Sequence, residues 1–181
     1  NRILLKFGMP ALMQTQRLGL LALMEAAGLD RSALSYRDIG FGLGPRINAA
    51  GRMGSAEDAF RLLVTENALE AENLARILDQ GNRDRQRVES SAFEEAVERI
   101  ELDDHLNQYS ILVLEDEAWH EGVLGIVATR LVERYERPAL VIAEREGIAK
   151  GSGRSVDGFS LFDAMKECDD LFSKFGGHAR A

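Results

Sequence analysis

Tyr109–Ala143 reads YSILVLEDEAWHEGVLGIVATRLVERYERPALVIA. Its two ends, YSILVL (Tyr109–Leu114) and ALVIA (Ala139–Ala143), are short apolar runs, partly β-branched, of the kind that form buried strands. Between them Gly122–Tyr135 has the pattern of an amphipathic helix. Strand, helix, strand is a βαβ unit, so the C-terminal part of the chain is an α/β domain. Immediately downstream, IAKGSGRS (Ile148–Ser155) reads as a further strand interrupted by glycines, and Ser160 as the N-cap of a helix running to about Asp170.

Upstream, Ala68 to about Leu102 holds no proline, one glycine and a dense mixture of Glu, Arg, Ala and Leu. That composition predicts one helix of roughly 35 residues, on the order of 50 Å long, with Asn67 as its N-cap. Ala71, Leu74, Ala75 and Leu78 make an apolar stripe along its first half. Gly81–Glu89, GNRDRQRVE, is polar nearly all round and predicts a solvated stretch and a domain boundary. Before it, Ser55 is placed to cap a short helix through Val64. A core-facing helix is expected from near Pro10 to Gly28. Ile39–Gly54, IGFGLGPRINAAGRMG, has five glycines and a proline and reads as a functional loop.

Composition narrows the chemistry. The chain has 181 residues, 45% of them hydrophobic, a net charge of −8 and one cysteine, Cys168. No apolar run approaches the roughly 18 residues of a membrane span, and NRILLKFG at the start is not a signal peptide, so the expected address is cytoplasmic. A lone cysteine gives no internal disulfide, and three scattered histidines make a poor structural metal site. The acidic balance is wrong for indiscriminate coating of nucleic acid, so any such contact must be local.

Four segments could carry it. In GPRINAAGR (Gly44–Arg52), Arg46, Asn48 and Arg52 stand among glycines and small residues and could reach a phosphate or carboxylate; the competing reading is a tight turn with internally paired arginines. In EAWHEGVLG (Glu117–Gly125), His120 precedes a helix start, where unpaired N–H groups favour an anion. Trp119 beside it is a stacking candidate, with a core role as the commoner alternative. In KGSGRS (Lys150–Ser155), period-two geometry puts Ser152 and Arg154 on one strand face, and Gly151 and Gly153 leave room for a strand of nucleic acid. In FGGHARA (Phe175–Ala181), Gly176 and Gly177 could form a backbone nest preceding a helix start, with His178 facing the bound anion. None of these makes a catalytic set, and Asp103-Asp104-His105 lacks partners for a dinuclear metal site.

Taken in order, GPRINAAGR, WHEGVLGIVATRL (Trp119–Leu131), GSGRS (Gly151–Ser155) and FGGHARA resemble the later motifs of the RecJ family, single-strand-specific DNA exonucleases of the DHH phosphoesterase superfamily. The resemblance covers essentially the whole chain. It implies that residues 1–66 are the end of a DHH domain, 67–106 a connector helix, and 107–181 a DHHA1 domain with a mixed sheet, truncated at its C-terminal end. Both termini then read as interior points of a longer polypeptide. The implied parent is a hydrolase of DNA repair and recombination, digesting single-stranded DNA in the 5′ to 3′ direction, with Mn2+ or Mg2+ held by DHH residues ahead of Asn1 and none in this segment. The implied phosphate contacts are Ser152, Arg154 and His178, with backbone access at Gly176 and Gly177. Arg46, Asn48 and Arg52 are implied to face the same cleft from the other domain, with His120 in support. Implied partners are single-stranded DNA and, in addition, a single-strand-binding or other repair protein, with no membrane. Two alternatives stay open: a DHH-DHHA1 enzyme acting on oligoribonucleotides or cyclic dinucleotides, and a non-catalytic RecJ-like interaction module.

Overall fold

The computed structural model describes residues 2–178, Arg2 without its side chain. The chain forms two compact units, Asn1–Gln86 and Arg87–Ala181, which divide inside the polar stretch of the long helix.

The first unit is helical. Helices α1 (Arg2–Met13) and α2 (Leu18–Ala26) replace the single helix expected from Pro10 to Gly28. The break at 14–17 has a local cause: the Thr15 hydroxyl accepts the Arg17 N–H at 3.2 Å, and the Met13 carbonyl accepts from the Arg31 side chain. Both bonds compete with the helical ladder. The stop at Gly28 is as expected. Its φ is +66°, and the Gly28 and Leu29 N–H groups return to the carbonyls of Glu25 and Met24, closing a Schellman motif.

The glycine-rich stretch is helical, not a loop. A π-helical turn, Asp38–Leu43, runs straight into α3 (Gly44–Met53). In an α-helix the Pro45 ring would collide with the carbonyl four residues back. The wider turn removes that clash, with the Gly44 N–H bonded to the Ile39 carbonyl five residues earlier. Burial of Leu43 and Ala49 then offsets the poor intrinsic helix propensity of the stretch. Helix α4 (Glu57–Val64) follows, with the Ser55 hydroxyl accepting the Glu57 N–H at 3.1 Å.

Helix α5 (Ala68–Leu102) is one continuous element of 35 residues, and the Asn67 side chain accepts the Glu70 N–H at 3.1 Å as its cap. Ala71, Leu74, Ala75 and Leu78 are buried, as their spacing predicts, in a core with Leu23, Met24, Leu34, Leu43 and Leu62. The polar stretch is not wholly solvated: Asp79, just before it, and Asn82 within it are both buried.

The second unit contains the rest of α5, a short helix α6 (Asp104–Gln108) capped by the Asp103 carboxylate, and a three-stranded mixed sheet. Strands β1 (Leu112–Glu115) and β2 (Ala139–Arg145) are parallel and joined by α7 (Leu124–Tyr135), which is the βαβ unit expected. β1 starts three residues later than Tyr109 because Tyr109 is itself exposed. Strand β3 (Ile148–Arg154) is uninterrupted and antiparallel to β2. Helix α8 (Leu161–Lys166), capped by the Ser160 hydroxyl, is shorter than expected and gives way to a 3-10 turn at Asp169–Leu171. The core of this unit is Leu112, Leu114, Val123, Val127, Leu131, Ala139 and Val141, closed by Ala92, Ala96 and Ile100 of α5. No helix among the described residues is long and apolar enough to cross a membrane.

Candidate nucleic-acid interface

In the register of β3 on β2, Ser152 stands opposite Val141 and Arg154 opposite Ala139. Directly opposed residues of an antiparallel pair project to the same face. Val141 and Ala139 are fully buried, and Ser152 and Arg154 share their side of the sheet. The first turn of α7 lies over that pair: a Cβ built on Gly125 would stand 3.0 Å from the Ser152 hydroxyl and 3.0 Å from an Arg154 Nη. The strand motif and the helix motif therefore meet at one point, where the lack of a side chain at position 125 lets the Ser152 hydroxyl and the Arg154 guanidinium sit close against the helix.

Arg154 is half-buried. Its Nη1 donates to the Ser152 hydroxyl at 3.2 Å and to the Gly153 carbonyl at 2.6 Å. Both acceptors are neutral, and among the described residues no carboxylate pairs with this guanidinium. An oriented cation with spare donors, a hydroxyl and the start of a helix together suit a phosphate oxygen.

The turn leading into α7 is braced by His120. Its Nδ1 accepts the Gly122 N–H at 3.0 Å and its carbonyl accepts the Val123 N–H at 3.0 Å, so the neutral ring carries its proton on Nε2. Next to it, Glu121 takes a hydrogen bond from Lys150 at 2.6 Å, tying the turn to β3. That bond, with the lysine charge, holds the Glu121 carboxyl below the usual carboxylate range. Trp119 takes the core role: it is 5% exposed, its indole N–H donates to Glu95 at 3.0 Å, and Arg99 stacks on its ring at 5.3 Å.

Gly151 and Gly153, which flank Ser152, serve another purpose than the one expected. A Cβ on Gly153 would meet Leu161 at 2.4 Å, and one on Gly151 would meet Leu140 and Ile142 at 3.3 Å. Protein side chains fill the space that the sequence leaves open to a nucleic-acid strand on that face. The glycines let α8 and β2 side chains approach the sheet opposite Ser152 and Arg154.

In the first unit, helix α3 distributes its polar residues rather than grouping them. Arg46 forms an ion pair with Asp79 at 2.8 Å and also donates to the Gly42 carbonyl at 2.8 Å. Arg83 takes the other Asp79 oxygen at 2.8 Å. Asn48 and Arg52, one turn apart, are both exposed, roughly 120° or more around the helix from Arg46. Internal pairing is therefore what Arg46 does. Asp79 is hidden to sequence reading because a carboxylate on a helix rich in Glu and Arg reads as one more solvated charge. Its one signal is its place a residue after Leu78, beside the buried stripe.

At the C-terminal end, the Phe175 ring packs against Phe162 at 5.8 Å and Phe172 at 5.4 Å. Gly176, Gly177 and His178 follow, exposed and without regular structure. The helix start expected after them lies outside the described residues. No group of three or more His, Cys, Asp or Glu that could hold a metal converges among the described residues, so these side chains do not fit a dinuclear centre.

Residues 108–181, which hold the three-stranded mixed sheet and the Ser152–Arg154 pair, match the DHHA1 domain family. Over its whole length the chain is homologous to the single-stranded-DNA-specific exonuclease RecJ. It is 44% identical to RecJ of Bacillus subtilis and 40% identical to RecJ of Escherichia coli, in each case across all of this chain. It spans 23% and 33% of those two proteins. The crystal structure of Thermus thermophilus RecJ with Mg2+ superposes with a TM-score of 0.85 at 35% identity, over 99% of this chain and 27% of that one. The same protein with Mn2+ gives a TM-score of 0.83.

Gly125→Ala tests the meeting of helix and strand. An added methyl at 3.0 Å from both polar groups displaces the guanidinium by a few tenths of an ångström. Alanine is also the better helix former by about 1 kcal/mol. Single-strand affinity, measured by fluorescence anisotropy, is expected to fall about threefold or more while thermal stability holds or rises. Unchanged affinity would show that the guanidinium's position does not matter.

Proposed function

We propose that this chain is the substrate-holding portion of a RecJ-type exonuclease and that Ser152 and Arg154 grip the phosphates of an unpaired DNA strand. The observation that carries the reading is the Arg154 guanidinium, fixed by neutral acceptors under the first turn of α7 and paired with no carboxylate among the described residues. His120 supports the site by bracing the turn before α7. Gly176, Gly177 and His178 add a further phosphate contact. Asn48 and Arg52, exposed on α3, add contacts to the backbone of an unpaired strand, whereas Arg46 acts as a structural pin on Asp79.

Phosphodiester hydrolysis belongs in this reading to DHH residues that the chain does not contain. Mg2+ or Mn2+, present in the solved relatives, would be held by those residues and would supply Lewis-acid activation of water there. The chain's own residues bind and orient the strand. Contacts to phosphate position a strand without reading bases, so no sequence preference is expected. Digestion from the 5′ end, a place in DNA repair and recombination, and contact with a single-strand-binding protein are parts of the same proposal.

The chain by itself is expected to bind a fluorescein-labelled oligodeoxythymidylate weakly. Its log affinity should fall with log salt at a slope near −1 to −2, as for about two phosphate contacts. It should release no nucleotide when Mn2+ is added. Robust metal-dependent digestion by the pure chain would overturn this division of labour.

A further inference from the structure

The π-helical turn Asp38–Leu43 leaves Phe41 80% exposed. Turns of this kind are rare and recur at functional sites. Phe41 lines a hollow of about 510 Å³ in the first unit, together with Arg37, Arg46, Asn82, Arg83 and Gln86. That volume is within the range of small-ligand sites.

The charge of the hollow is positive in a chain whose net charge is −8. Asp79 gives one carboxylate oxygen to Arg46 and the other to Arg83, so a single negative charge answers two guanidinium groups. Arg83 remains 63% exposed in its side chain and keeps donors for another acceptor. The remaining carboxylate, Asp38, accepts the Ser35 N–H and hydroxyl at 2.7 Å each, which leaves Arg37 beside it with no direct ion-pair partner among the described residues. An exposed aromatic ring beside guanidinium groups that outnumber the carboxylates is the combination that takes a base and its phosphate from a single strand.

We propose that this hollow is a nucleotide subsite, in which a base of unpaired DNA stacks on Phe41 while Arg37 and Arg83 hold the adjoining phosphate. The proposal rests on the reading of the chain as a single-strand binder but uses residues and a unit separate from Ser152 and Arg154. Phe41 is not legible as a stacking residue in the sequence, where its stretch has the composition of a loop.

The test is anisotropy of a labelled oligodeoxythymidylate with the full chain, comparing Phe41→Ala, Arg37→Ala, Phe41→Trp and Arg154→Ala. The first two are expected to weaken binding about 5-fold or more, the lower end for loss of one stacked base. Phe41→Trp should retain affinity and lose tryptophan emission as the oligonucleotide binds. Phe41 and Arg37 are exposed, so the variants should fold as the parent does. Wild-type affinity in Phe41→Ala and Arg37→Ala with loss in Arg154→Ala overturns the subsite alone. Loss in the first two with none in Arg154→Ala supports the subsite and overturns the Ser152 and Arg154 reading. An oligoglutamate peptide that displaces the oligonucleotide as well as unlabelled oligothymidylate does would overturn the stacking role. No binding by the unaltered chain overturns both readings.

Discussion

Replacing Arg154 with alanine is expected to lower single-strand affinity by about 10- to 100-fold, the range for loss of a hydrogen-bonded charge at a phosphate, worth about 1.5–3 kcal/mol. The cause is geometric. The guanidinium is held at two neutral acceptors, under a helix turn that a glycine brings close. Little of its charge is neutralised within the protein, so most of it is available to an anion. The fold should survive, since Arg154 is half-buried and its removal breaks no ion pair among the described residues. Thermal denaturation of Arg154→Ala should therefore match the parent while anisotropy does not. Arg154→Lys should recover only part of the affinity, because an ammonium keeps the charge but loses the planar fork of donors. In a full-length enzyme carrying the metal site, the same change should remove most of kcat/KM on single-stranded DNA. Unaltered binding and turnover in Arg154→Ala would remove the foundation of the proposed function.

The largest expected effect on stability comes from Gly19→Ala. Gly19 is buried where α2 packs on α4, and a Cβ there would stand 1.7 Å from the Leu62 carbonyl oxygen and 2.7 Å from its carbon. A flexible side chain could move aside, but a helical backbone carbonyl cannot do so alone. The two helices would have to separate by more than an ångström, which opens the packing around Leu23 and Leu62, both fully buried. Overpacking costs about 1–3 kcal/mol and occasionally more, and a rigid obstacle belongs at or above the top of that range. The gain in helix propensity from glycine to alanine, about 1 kcal/mol, is too small to offset it. Urea denaturation followed by circular dichroism should show a net loss of about 2–3 kcal/mol. A variant as stable as the parent would mean that the crossing is looser than the structure has it.

Several features are legible residue by residue. Gly28, Asn67 and the run from Ala68 to Leu102 are local in cause: a positive φ, a side-chain cap, and a long stretch of helix formers. The βαβ unit is equally plain, because buried strands and an amphipathic helix differ in period. Ser152 and Arg154 are placed on one face by strand alternation alone. The motif order also carries the resemblance to RecJ, which the similarity across the chain bears out.

What the sequence could not decide were the outcomes that depend on a distant partner. Glycine and proline argue for a loop at Ile39–Gly54, but a π-turn around Pro45 and burial of Leu43 and Ala49 make it helical. Arg46 looks like a ligand-seeking arginine until Asp79, 33 residues away, comes within 2.8 Å. Gly125 looks like an ordinary small residue, and Gly153 like room for nucleic acid, until Arg154 and Leu161 occupy the space beside them. Propensity, caps and period act over a few residues and can be read along the chain. Which carboxylate meets which guanidinium, and what fills the space beside a glycine, are set by packing between segments far apart in sequence, and only the folded chain decides them.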